Sequence, residues 1–132
     1  NEPSSVSGRG EMIEKFEVCN SLHNQEILIV HPGVEVSTKE AFKLLELKES
    51  NLDFDYENLH NISNDFQGPV SKKFPKITEA LKFIESSGAH FTQMSGSGSA
   101  VFGIFEKDSV EGYKLVEKAK EQGWTAYFGD LL

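Results

Sequence analysis

Residues 91–106 read FTQMSGSGSAVFGIFE, and their reading decides the fold. Phe91 to Met94 and Ala100 to Glu106 are short runs rich in aromatic and apolar residues, and the serine-glycine alternation of Ser95 to Ser99 joins them. Two such runs with so short a polar link predict a β-hairpin. Upstream of it, Pro75 opens a pattern of Ile77, Ala80, Leu81 and Ile84 that Gly88 closes, which is the proline start and glycine stop of a helix. Downstream, Asp108 or Ser109 caps a helix carrying Val110, Tyr113, Val116 and Ala119, Gly123 ends it, and Trp124 to Phe128 reads as the last strand.

Further upstream, Ile27 to Val30 is apolar throughout and predicts a strand buried on both faces, ended by the turn residues His31, Pro32 and Gly33. Ser37 and Glu40 form a capping box, so a helix starts at Thr38 and continues through Ala41, Leu44, Leu45 and Lys48. Residues 51–58 read as an acidic loop, and Leu59, Ile62, Phe66 and Val70 as a second helix that Gly68 and Pro69 bend or interrupt. Glu11 to Val18 mixes charged and apolar residues as an edge strand would. Residues 1–7 read as a linker or frayed start, leaving 8–132 as the structured domain. The order strand, helices, strand, strand, helix, strand describes a ferredoxin-like α+β sandwich, an antiparallel sheet with helices on one face.

Composition narrows the function. The 132 residues suffice for one domain with a core of its own. With 13 Lys and Arg against 21 Asp and Glu, the net charge is −8, which argues against a surface that binds nucleic acid or a polybasic membrane anchor. The longest apolar stretches, Ile27 to Val30 and Ala100 to Phe105, are far too short to span a bilayer. One cysteine, Cys19, cannot form an internal disulfide and favours a reducing compartment. The sequon at Asn61 is then accidental. His23, His31, His60 and His90 are dispersed, so no protein-only metal site is expected.

The loop Ser95 to Ser99 is the most unusual segment, since glycines let backbone amides crowd an anion and serines add donors without bulk. It is not a dinucleotide fingerprint, which needs a glycine where Val101 stands, nor a Walker A loop, which needs a lysine where Ile104 stands. Taken alone it is either an anion-binding loop or a flexible hairpin connection. Thr38 and Phe42 lie four apart on one helix face, and Phe42 is either core or an aromatic platform for a flat ligand. Asn64, Asp65 and Phe66 set a polar pair beside an apolar anchor, either projecting into a cleft or serving as cap and salt-bridge partners. Asp53, Asp55 and Glu57 read as a solvated face.

Three segments in order, His31-Pro32-Gly33-Val34 with Val36-Ser37-Thr38 and Phe42, then Asn64-Asp65-Phe66, then Met94 to Gly103, resemble the C-terminal domain of the GHMP kinase superfamily. Within it they resemble the branch whose acceptor carries a cytidylyl diphosphate. The resemblance runs from about Gly8 to the C-terminus and covers about half of such an enzyme. It implies ATP- and Mg²⁺-dependent phosphorylation of the 2-hydroxyl of a diphosphocytidyl methylerythritol, a step of non-mevalonate isoprenoid biosynthesis. It also implies a bacterial cytoplasm, or a plastid after removal of a transit peptide.

In that superfamily the substrate cleft lies between two domains, and the second is a ferredoxin-like sandwich. The main phosphate loop and the groups that deprotonate the hydroxyl belong to the N-terminal domain of the same polypeptide. No catalytic residue is therefore expected in this chain, and the isolated chain is expected to be inactive. By the same resemblance, Gly96, Ser97, Gly98 and Ser99 border the phosphate-transfer site, and Thr38 and Phe42 face the cytidine end, with Phe42 stacking on cytosine. Serines stand where relatives often carry threonine or a larger residue in the glycine loop, which preserves the donors. The resemblance gives Asn64, Asp65 and Phe66 no role. Other readings are a mevalonate- or homoserine-type kinase, against which the HPGV and Thr38-to-Phe42 segments argue, and a free-standing ferredoxin-like binding or regulatory module without catalysis.

Overall fold

A computed structural model describes residues 4–7, 12–15, 22–45 and 63–131. Its central element is a four-stranded antiparallel sheet of β3 (Gln25–His31), β4 (Phe91–Met94), β5 (Val101–Glu106) and β6 (Thr125–Asp130), in the order β4-β5-β3-β6. Before it, β1 (Ser4–Ser7) and β2 (Met12–Lys15) form a separate two-stranded antiparallel sheet. The helices are α1 (Thr38–Leu44), α2 (Gln67–Lys73), α3 (Pro75–Ser86) and α4 (Gly112–Glu121). With β3 and β5 central and each flanked by an outer strand, the sheet has the ferredoxin-like order read from the sequence.

The hairpin forms as expected: β4 pairs with β5 from Phe91 opposite Ile104 to Met94 opposite Val101. Side chains alternate across a strand, so register divides the sheet into two faces. Leu28 and Val30 of β3 lie opposite Gly103 and Val101 of β5 and opposite Phe128 and Ala126 of β6. This face meets Ile77, Ala80 and Ile84 of α3 and Leu115 and Ala119 of α4, and together they form the buried core. Gly103 has a specific reason to be glycine, since a Cβ there would stand 2.1 Å from Ile84 Cγ2; the missing side chain lets α3 lie close on β5.

Four expectations need correction. Residues 1–7 are not wholly a linker, because Ser4–Ser7 pairs with Met12–Lys15 through a backbone ladder that polar side chains do not prevent. β3 is not buried on both faces: Leu28 and Val30 are fully buried, but Ile29 between them is 39% exposed, because the described helices pack on one face only. Gly68 and Pro69 do not interrupt α2 but lie in its first turn, where a missing N–H breaks no intrahelical bond. The stretch of that predicted helix through Ile62, like the acidic loop 51–58, falls outside the described residues. Finally, α4 begins at Gly112 with Glu111 as its N-cap, and it buries Gly112, Leu115 and Ala119 while Tyr113 is 64% exposed. Gly112 comes so near Phe128 that a Cβ would stand 2.0 Å from its ring, which turns that face inward.

Candidate functional site at the glycine-serine loop

The β4-β5 loop is closed by its own backbone. Ser95 N–H donates to Ala100 O at 2.8 Å and Gly98 N–H to Ser95 O at 3.0 Å. Gly96 and Gly98 take positive φ, +52° and +89°, and a Cβ on Gly98 would stand 2.9 Å from Met94 Sδ. Among the described residues, the N–H groups of Gly96 and Ser97 donate to no acceptor. Backbone N–H groups left open beside a left-handed glycine are the ingredients of an anion-binding nest.

The four loop residues are not equivalent. Ser99 is buried at 4% exposure, and its hydroxyl donates to Val34 O, across the turn that follows β3. His31 Nε2 lies 3.3 Å from Ser99 Oγ, while His31 Nδ1 accepts the Gly33 N–H at 3.1 Å. An accepting Nδ1 places the proton of the neutral ring on Nε2, so the chain runs from Gly33 through His31 and Ser99 to Val34. Ser99 and His31 thus fasten the loop to the HPGV turn, and only Gly96, Ser97 and Gly98 are left to present groups outward.

α1 enters the site from the other side of that turn. Ser37 Oγ accepts the Glu40 N–H at 3.1 Å, the N-cap read from the sequence, and fixes the first turn of the helix. Its first residue, Thr38, then has Oγ1 3.5 Å from Ser97 Oγ, which brings the two predicted halves of the site into contact across 59 residues of sequence. One turn on, Phe42 is 56% exposed, so it is not a core residue. It meets Phe66 edge-on, with ring centroids 5.0 Å apart and planes at 89°, an arrangement that fixes the Phe42 ring while leaving much of it open.

The segment before α2 completes the group. Asn64 Nδ2 donates to Met94 O at 2.7 Å and to Gly96 O at 2.8 Å, while its Oδ1 accepts the Phe66 N–H at 3.0 Å. Gln67 Oε1 accepts the Met94 N–H at 2.8 Å. Gln67 was not singled out in the sequence, and its three-residue spacing from Asn64 at a helix start is the signal that could have found it. Asp65 is exposed beside them. Lys39, Lys43 and Lys73 line a depression with Ser37 and Glu40 on the outer side of α1, and Lys73 Nζ is held by Glu40 at 2.5 Å. Among the described residues, no three His, Cys, Asp or Glu side chains are grouped to hold a metal ion.

The loop with its open backbone donors thus lies beside the Thr38 hydroxyl and the Phe42–Phe66 pair at one edge of a ferredoxin-like sheet. The family model for the C-terminal domain of GHMP kinases matches residues 38–124, and the chain belongs to that family. Among curated proteins it is similar to the 4-diphosphocytidyl-2-C-methyl-D-erythritol kinase of Citrifermentans bemidjiense, 32% identical over 133 residues that cover 95% of this chain and 46% of the relative. It is also similar to the kinase of the same name from Bacteroides fragilis, 34% identical over 115 residues, or 82% of this chain and 41% of the relative. The chain thus spans less than half the length of these relatives. The crystal structure of a 4-(cytidine 5'-diphospho)-2C-methyl-D-erythritol kinase superposes with a TM-score of 0.75 at 22% identity, over 96% of this chain and 48% of that one. The homoserine kinase of Cytophaga hutchinsonii superposes with a TM-score of 0.65 at 20% identity, over 89% of this chain and 44% of that one. Both likenesses establish the fold, and the GHMP C-terminal domain is the ferredoxin-like sandwich expected from the sequence. Among the described residues, no helix is long and apolar enough to cross a membrane.

Proposed function

We propose that this chain, from about residue 8 to 132, is the acceptor-reading domain of an ATP-dependent kinase that phosphorylates the 2-hydroxyl of 4-diphosphocytidyl-2-C-methyl-D-erythritol. The observation that carries the proposal is the contact between its two parts, Thr38 Oγ1 at 3.5 Å from Ser97 Oγ, with Phe42 open one turn further along α1. A single acceptor can then reach the aromatic ring with its cytosine while its phosphorylatable end lies toward the loop. The relatives of the same name support the choice of acceptor, because each matches along most of this chain.

Phosphoryl transfer asks an enzyme chiefly for alignment and for positive charge around the transferred group. This chain supplies alignment. The open N–H groups of Gly96 and Ser97 offer donors to phosphate oxygens, the Thr38 hydroxyl offers a further donor, and the exposed part of Phe42 offers a stacking surface that any cytosine fits. It does not supply the charge. Its net charge is −8, and its described residues form no metal-ligand cluster, so Mg²⁺ would be held by phosphates and by groups outside them. Nor does the loop itself carry a base, since Ser95 to Ser99 are serine and glycine only. In the proposal, the phosphate loop, the base and the cations belong to an N-terminal domain of the same polypeptide.

The test compares acceptors. Full-length protein with ATP and Mg²⁺ should transfer phosphate to the cytidylyl methylerythritol and not to homoserine or mevalonate, as read by ³¹P NMR. Transfer to either of the other two would overturn the choice of acceptor. The isolated chain, assayed in parallel, should give no turnover above a protein-free control, and turnover there would show that the chain itself carries the charge and the base.

A further inference from the structure

Asn64 makes more hydrogen bonds than a helix-start residue needs, and all of them bear on the site. We infer that Asn64 is a positioning residue, which orients the glycine-serine loop for the phosphoryl group and couples it to the aromatic wall; the inference rests on the kinase reading above. Both of its donors are used and its oxygen accepts, with one Nδ2 proton on Met94 O, the other on Gly96 O, and Oδ1 on the Phe66 N–H. Among the described residues β4 is an edge strand, and Met94 presents its N–H and carbonyl away from β5. Asn64 takes the carbonyl and Gln67 takes the N–H, so the start of α2 covers this edge where the loop leaves it.

The bond to Gly96 O has a directional consequence. In a trans peptide the carbonyl and the following N–H point in opposite directions, so holding Gly96 O on Asn64 turns the Ser97 N–H away from Asn64. Ser97 is the residue whose hydroxyl meets Thr38, and its N–H is among the open donors of the loop. The same carboxamide holds the backbone of Phe66, whose ring supports Phe42. A change at Asn64 therefore reaches the orientation of the loop before it reaches the stacking surface, and its effect belongs to kcat rather than to acceptor binding.

The informative variant is Asn64→Asp in the full-length protein. The carboxylate still accepts the Phe66 N–H but faces Met94 O and Gly96 O with no proton to give. Acceptor-on-acceptor contact should swing the loop out. The expected result is a fall in kcat of about tenfold or more, a KM for the cytidylyl acceptor within about threefold of wild type, and faster hydrogen exchange at the Ser95 and Gly98 amides. Asn64→Ala, which removes the donors without adding charge, should shift kcat in the same direction by a smaller factor and serves if the aspartate variant does not fold. A lower Tm with kcat unchanged would make Asn64 a purely structural residue and overturn the inference, as would unchanged exchange at Ser95 and Gly98. If the wild-type protein does not phosphorylate the cytidylyl acceptor, the kinase reading fails, while the exchange rates still decide whether Asn64 holds the loop.

Discussion

Phe42→Ala in the full-length protein should raise KM for the cytidylyl acceptor by about tenfold, within the range of 1–3 kcal/mol that stacking of a base on an aromatic ring contributes. The KM for ATP should stay within about twofold, because the ring lies on the α1 side of the site and the open N–H groups of the loop are untouched. Stability should change little. The ring is 56% exposed, and its main described packing is one edge-to-face contact with Phe66, worth about 0.5–1.5 kcal/mol. Phe42→Trp, which keeps a flat face, should retain most of the affinity. Steady-state kinetics and a thermal melt on the same preparations separate the two readings of this residue: a large fall in Tm with KM unchanged would return Phe42 to the core.

The largest loss of stability should come from the opposite end of the exposure scale. Phe105 is fully buried on the helix-facing side of β5, with its ring centroid 6.0 Å from that of Phe128. Phe105→Ala leaves a cavity in the centre of the sheet, and its expected cost is about 3–5 kcal/mol. Against a total stability of about 5–15 kcal/mol for an ordinary domain, that is a large fraction. Tyr127→Ala makes the control, since Tyr127 lies on the open face of β6 at 61% exposure and should cost under about 1 kcal/mol. Urea denaturation of the full-length variants should show the midpoint falling for Phe105→Ala and nearly fixed for Tyr127→Ala. Equal shifts would mean that the open face is covered as thoroughly as the helix face.

The second prediction rests on a division of the sheet that the sequence showed only in part. α3 was legible from end to end because local signals agreed: Pro75 at its start, buried Ile77, Ala80 and Ile84 at helical spacing, and Gly88 with a φ of +100° just beyond. The Ser37 cap was legible for the same reason, since its bond to Glu40 spans three residues. β3 misled because an unbroken apolar run reads as doubly buried, whereas Ile29 faces a side of the sheet that none of the described helices covers. α4 misled because its inward face is set by the fit of Gly112 against Phe128, which is a tertiary contact that a pattern of large apolar residues does not report.

The site follows the same rule. Loop composition and the placement of Thr38 and Phe42 are local, and they drew attention from the sequence. What each residue does depends on partners far away in the chain. Ser99 looks like its neighbours in the sequence yet turns inward to Val34, and Asn64 reaches loop carbonyls 30 and 32 residues away. No spacing rule encodes those contacts.

In the proposed function the open face of Phe42 reads a cytosine while the neighbouring loop borders phosphate transfer. The most direct test is an NMR measurement on the full-length protein with ¹³C-labelled phenylalanine rings and bound cytidylyl methylerythritol diphosphate. Nuclear Overhauser contacts are expected from the cytosine H5 and H6 protons to the Phe42 ring, with weaker ones to its neighbour Phe66. Saturated binding with cytosine contacts only to phenylalanines away from the site, such as Phe83 beside Trp124, would contradict the account.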